Sequence, residues 1–143
     1  MGGQPIGTGY NPRMPTYRGA CHCKAVQFEV DADIDHVRVC DCSVCSMRGG
    51  LMFRVPEGGM RLLTPMENLT AYRWGSRTAV DYFCPICGIL PFRKPSALTQ
   101  AERLAGMSSF EGWAINTRCL EGFSPNVVSV VKVFGRQLDI ESG

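Results

Sequence analysis

The segment Cys40-Asp41-Cys42-Ser43-Val44-Cys45, read with Cys21-His22-Cys23 before it and Cys84-Pro85-Ile86-Cys87-Gly88 after it, decides how this chain folds. Seven of the eight cysteines fall in these three clusters, and Cys119 stands alone. Residues two apart on a strand share a face, so a C-x-C pair can present two sulfurs to one ion, and C-x-x-C does the same from a tight turn. Gly88 permits the left-handed backbone of a zinc knuckle, whose N–H groups point back at sulfur. Disulfides fit worse, because a bridge within C-x-C or C-x-x-C closes a small strained ring. Nor does a chain of 143 residues need covalent staples to bury its apolar surface. The clusters are therefore read as metal ligands. All-sulfur donors favour zinc over magnesium, manganese or calcium and leave iron open.

Seven ligands divide naturally as four plus three. A structural zinc takes four protein ligands and is closed, whereas a catalytic zinc keeps one position free. Cys40, Cys42 and Cys45 lie within six residues, close enough to hold one ion and too few to saturate it. Cys21, Cys23, Cys84 and Cys87 would then complete a tetrahedron between distant parts of the chain. Spacing alone leaves open which pairs share an ion.

Around the clusters the pattern is mostly strand. In residues 23–30 (CKAVQFEV), Val26, Phe28 and Val30 alternate with Gln27 and Glu29, the period of a half-buried strand. Similar short runs occupy 36–40, 51–55, 60–64, 69–74, 79–83, 113–120 and 127–134, separated by glycine- and proline-bearing turns. One helix is predicted over 96–106 (SALTQAERLAG), with Ser96 as cap and Gly106 as stop. Residues 1–15 are Gly/Pro-rich and read as a flexible tail, leaving 16–140 as one domain. The expected fold is mainly β: a single zinc-bearing domain of short antiparallel strands with at most one short helix.

Hydrophobic residues at 45% and charged residues at 20% describe one ordinary soluble domain. No apolar run approaches the roughly 18–20 residues that cross a bilayer, and the N-terminus lacks the apolar core of a signal peptide. The expectation is a cytoplasmic protein with no membrane partner. The formal charge of +2 falls to about −1 once seven thiolates and two dications are counted. With no Lys/Arg run either, a nucleic-acid partner gains no support. Arginine outnumbers lysine twelve to three, a bias that suits planar recognition of carboxylates.

The runs GACHCKAVQFEV (19–30), CDCSVCSMRGGLMFRVP (40–56), LTAYRWGSRTAVDYFCPICGILPFRK (69–94) and INTRCLEG (115–122) resemble the glutathione-dependent formaldehyde-activating enzyme family, which includes centromere protein V. The resemblance extends from about Tyr17 to Leu138. It implies a β-tent fold and two zinc ions per chain: a structural one at Cys21, Cys23, Cys84 and Cys87, and a catalytic one at Cys40, Cys42 and Cys45. The activity it implies is condensation of formaldehyde with glutathione to S-(hydroxymethyl)glutathione, a carbon-sulfur lyase assignment. Two positions depart from the family's pattern: Asp41 stands where histidine is common, and Lys24 where glycine is common.

Only two histidines are present, His22 between ligands and His36 at the start of a strand, so proton transfer by histidine is poorly supported. Three thiolates around a dication make a weak Lewis acid and a good seat for a further thiolate, which favours thiol activation. A glutathione-like thiol would lose its proton there and attack a small aldehyde. Arg54, Arg93 and Arg118 are candidate partners for its carboxylates, and Asn116 joins Arg118 as a candidate pocket residue. Cys119 reads as a small buried hydrophobe, and Trp74 and Trp113 as core or pocket-wall aromatics. The expected partners are a small thiol and an aldehyde, with room for a homodimer. Two alternatives stay open: a non-catalytic thiol carrier, and a zinc-ribbon-like module in which both metals are structural.

Overall fold

The computed structural model describes residues 14–74, 79–95, 103–106 and 110–133. In chain order these carry β1 (Thr16–Ala20), β2 (Gln27–Asp31), β3 (His36–Cys40), α1 (Ser43–Arg48), β4 (Met52–Pro56), β5 (Met60–Leu62), β6 (Thr70–Tyr72), β7 (Val80–Phe83), β8 (Phe92–Lys94), β9 (Gly112–Asn116) and β10 (Ser129–Val133). The molecule is mainly β, and the described strands form two sheets. β1, β2 and β5 form a three-stranded sheet in that order, and the other strands form a seven-stranded sheet ordered β10-β3-β4-β9-β8-β7-β6. Among the described residues, no helix is long and apolar enough to cross a membrane.

Phe28 joins the two sheets. Its fully buried ring meets Phe92 edge-on at 5.4 Å and 82°, and Phe92 meets Trp113 at 5.3 Å and 78°. Such edge-to-face pairs add about 0.5–1.5 kcal/mol beyond the area they bury. The Phe28 ring lies over its cross-strand partner Gly19, where a Cβ would sit 2.4 Å from ring Cζ. Val26, Val30, Val55 and Ile115 complete the buried centre, so the alternation expected of Val26, Phe28 and Val30 holds.

Several sequence expectations need correction. β2 begins at Gln27 rather than at residue 23, because 21–26 form a turn around sulfur. The run 113–120 is strand only to Asn116, after which Thr117–Cys119 make a 3-10 turn capped by the Asn116 side chain. β1 and β8 were not among the predicted strands; β8 is a three-residue, largely polar segment whose extended form comes from pairing with β7 and β9 on either side. β10 runs parallel to β3, with Ser129 opposite His36, so the sheet is not wholly antiparallel. α1 lies within the central cysteine cluster, where no helix was expected. It has six residues and buries none of them, so it offers no amphipathic period to read. The helix predicted over 96–106 and the tail over 1–15 fall for the most part outside the described residues.

Candidate metal centres and active-site cavity

The turn after β1 and the turn after β7 bring Cys21, Cys23, Cys84 and Cys87 together, with their sulfurs all within 4.8 Å of one another. Cys23 Sγ lies 3.7 Å from Cys21 Sγ and 3.6 Å from Cys84 Sγ. A tetrahedron with Zn–S bonds of about 2.3 Å has S···S edges of about 3.8 Å, so the spacing fits a four-thiolate zinc. The backbone is wound to suit. Val26 N–H points at Cys21 Sγ at 3.4 Å, Lys24 N–H at the Cys21 carbonyl at 3.2 Å, and Gly88 N–H at the Cys84 carbonyl at 2.8 Å. The residue after each pair is left-handed: Gly88 at φ 80° and Lys24 at φ 71°. For lysine that conformation costs about 1 kcal/mol, which glycine would avoid. The C-x-C pair is therefore presented by a knuckle turn, not by the strand face that its spacing suggested.

The thiols of this cluster are driven apart in acidity. For Cys23 the Ala25 N–H lowers the pKa, but burial and the protons of Cys84, Cys21 and Cys87 prevail and raise it to about 11. For Cys87 burial raises the pKa, but N–H groups of Ile89 and Cys23 and the neighbouring sulfurs outweigh it, bringing it down to about 6. Sulfurs packed this closely cannot all ionise unless a cation joins them.

Cys40, Cys42 and Cys45 form the second cluster, again with sulfurs within 4.8 Å of one another. Cys40 ends β3, Cys42 caps α1 and Cys45 follows one turn on, so three-residue helical spacing puts the last two on one face. Cys42 N–H lies 3.5 Å from Cys40 Sγ. Contact with the Cys40 sulfur, then burial, holds the Cys45 thiol above its ordinary range. Among the described residues no fourth Cys, His, Asp or Glu joins this set, and Asp41 is not part of it.

These three cysteines line a cavity of ≈ 70 Å³ whose walls include Arg38, Arg54, Arg93, Met52 and Trp74. None of its described lining residues is acidic. Behind the wall lies Asp81, a fully buried carboxylate on β7. It accepts from Arg93 Nε at 2.5 Å, its cross-strand partner on β8, and from Arg48 Nη1 at 3.1 Å at the end of α1. Two guanidiniums on one carboxylate leave a formal positive charge beside the sulfurs. The Arg54 guanidinium lies 4.9 Å from the centre of the Phe110 ring. Trp74 Nε1 is buried and, among the described residues, has no hydrogen-bond partner.

A second depression, a groove of ≈ 660 Å³, is lined by residues from both cysteine regions, among them His22, Lys24, Arg48, Gly50 and Arg118. The four arginine and asparagine candidates thus separate. Arg54 and Arg93 line the cavity, whereas Asn116 and Arg118 line the groove. The Asn116 amide is occupied, donating to the Leu90 carbonyl at 3.0 Å and accepting from Arg118 N–H at 3.2 Å. Cys119 also lines the groove; burial, with the nearby Cys21 and Cys87 charges, pushes its thiol up to about 12, in keeping with an inert small side chain. His22 is exposed, and His36 pairs with Asp35 at 2.7 Å. Arg38, Arg48 and Asp81 were missed by the sequence reading. The one available signal was Asp81 itself, a lone charge in the apolar run AVDYF.

Residues 16–111 match the family described as "Glutathione-dependent formaldehyde-activating enzyme". Among solved structures, the chain is similar to a Rhodobacter sphaeroides protein whose crystal structure was a Northeast Structural Genomics target. The two are 32% identical, the match covers 80% of this chain and 99% of that one, and the TM-score is 0.63. With two cysteine clusters that can hold metal and a family match over more than half its length, the chain belongs to the glutathione-dependent formaldehyde-activating enzyme family.

Proposed function

We propose that this protein is a cytoplasmic zinc-dependent carbon-sulfur lyase that adds a glutathione-like thiol to formaldehyde or another small aldehyde. In this reading Cys21, Cys23, Cys84 and Cys87 hold a structural zinc, and Cys40, Cys42 and Cys45 hold a catalytic one. The observation that carries it is the contrast between the clusters. One has four sulfurs at tetrahedral spacing, while the other has three, with no fourth described ligand, and opens on a cavity. A closed structural module would need a fourth ligand at the second cluster.

Cys40, Cys42 and Cys45 would hold the metal, which would supply a lowered thiol pKa and so a nucleophile at neutral pH. The chain's own groups do the rest. The thiolate sulfur forms a bond to the aldehyde carbon, the C=O π pair moves to oxygen, and that oxygen takes a proton equivalent to the one the thiol lost. Trp74, whose ring lines the cavity, is an apolar wall against which the small aldehyde can pack. Arg93, held by Asp81, supplies positive charge at the wall, and the small cavity limits bulk water around the reacting atoms.

The test has two stages. Metal analysis should find close to two zinc ions per chain. Cys84→Ala should yield unfolded protein, because the four-sulfur site ties together segments 61 residues apart. Cys42→Ala should yield a folded protein with one zinc. In cobalt-substituted protein, added glutathione should strengthen the thiolate-to-metal absorption, and exchange spectroscopy should show formaldehyde and glutathione equilibrating faster than without protein. Binding without acceleration would leave a carrier. A single zinc with freely titratable Cys40, Cys42 and Cys45 would overturn the assignment.

A further inference from the structure

The groove beside the three-cysteine cavity differs from it in size and charge. At ≈ 70 Å³ the cavity has room for a sulfur and a one-carbon aldehyde, not for a peptide-sized body. Sites for ligands of that size run to about 300–1,000 Å³, and the groove, at ≈ 660 Å³, falls in that range. The two spaces are neighbours. Arg48 and Gly50 line the groove and also a small cleft whose other walls are Cys40, Cys45, Met52 and Arg93.

The groove is cationic. Lys24, Arg48 and Arg118 face it, with Glu121 as the one acidic residue in its described lining. Arg48 is engaged by Asp81, whereas Lys24 and Arg118 enter none of the ion pairs formed by the described residues. Lys24 is also the only described non-glycine residue with positive φ. The turn needs only glycine there, and a strained lysine on the wall of a groove is an outlier that points to a use for its side chain.

We infer that the groove is a carboxylate subsite in which Lys24 and Arg118 hold the acidic body of the thiol substrate, across the Arg48–Gly50 wall that the groove shares with the cleft at Cys40 and Cys45. Lys24 is then the residue that sets this chain's preference for carboxylate-bearing thiols over neutral ones. The inference rests on the thiol-addition reading above. It is tested with two probes of the same backbone and sulfur: glutathione, and glutathione diethyl ester, in which both carboxylates are masked.

Calorimetric titration of the zinc-loaded protein should show wild type preferring glutathione to the diester. Lys24→Gly should weaken glutathione about tenfold, the loss expected for one charge-assisted hydrogen bond, and leave the diester nearly unchanged. The preference should shrink likewise in Arg118→Gln. Lys24→Gly relieves the strained turn, so its thermal midpoint should equal or exceed that of wild type, and weaker binding cannot be put down to misfolding. Equal glutathione-to-diester ratios in wild type and Lys24→Gly would overturn the subsite. Acceleration of thiol addition with no carboxylate preference would overturn the subsite alone and leave the enzyme standing. Lys24-dependent glutathione binding without acceleration would uphold the subsite and remove the enzyme.

Discussion

Substituting Asn for Asp81 probes the electrostatic frame of the cavity while changing side-chain volume very little. The Asp81 side chain is 1% exposed, Arg93 is 16% exposed, and Arg48 is 27% exposed. Removing one member of a buried ion pair costs about 3–5 kcal/mol, chiefly because the other charge is left buried. Arg48, nearer solvent at the end of α1, can turn outward and adds little. The asparagine oxygen can still accept one hydrogen bond, recovering about 1 kcal/mol. The expected loss for Asp81→Asn is therefore about 2–4 kcal/mol. At about 2–4 °C per kcal/mol for a domain near this size, the midpoint should fall by about 4–16 °C. Urea unfolding of zinc-replete protein, followed by tryptophan fluorescence, measures the difference. The double variant Asp81→Leu/Arg93→Met, which removes both charges, should recover much of it. A loss under about 1 kcal/mol would show the pair to be solvent-screened, and Arg93 would then owe its position to something other than Asp81.

Gly112→Ala should cost about 3 kcal/mol, because the new Cβ would lie 2.2 Å from the Val55 carbonyl oxygen on the neighbouring strand and 2.7 Å from the Phe110 ring. A thermal midpoint within a degree or two of wild type would contradict that contact. Arg61→Gln tests the outer sheet, where Arg61 reaches Asp31 at 2.8 Å and Glu29 at 3.2 Å. The hydrogen bond from Arg61 holds the Asp31 carboxyl below its usual range. This stabilisation is present above the unfolded carboxyl pKa of about 3.9 and fades as pH falls through the folded value. The variant should be less stable at pH 7 by under about 1 kcal/mol, solvent screening keeping the difference small. Urea titrations at descending pH should show the gap begin to narrow below about pH 4 and close only below the depressed folded pKa of Asp31, and a gap that does not narrow at all on acidification would assign it to packing instead.

What could be read from the chain was local. The spacing Cys21–Cys23, Cys40–Cys42–Cys45 and Cys84–Cys87 brings sulfurs near one another whatever the rest of the fold does, and sulfur chemistry then favours zinc. The alternation of Val26, Phe28 and Val30 likewise reflects a period that belongs to the strand itself. Gly88 was legible as a left-handed position because glycine's freedom is a property of one residue.

The remainder depended on contacts between distant segments. Neither Asp81 nor Arg93 announces its partner. The pairing follows from the β7–β8 register, and Arg48 reaches the same carboxylate only because α1 ends beside that hairpin. Lys24 stands out in the sequence only as a lysine where the resembled family commonly has glycine; that its position is left-handed is set by the turn at Cys21–Cys23. Arg54 and Arg93 part from Asn116 and Arg118 in the same way, since cavity and groove are made by strands meeting across the sheet rather than by sequence neighbours. Sequence spacing proposed the ligand chemistry because two- and three-residue geometry is local. Only the tertiary structure decided which sulfurs meet, which charges neutralise one another and where a ligand has room, because those depend on chain closure between segments that are far apart in sequence.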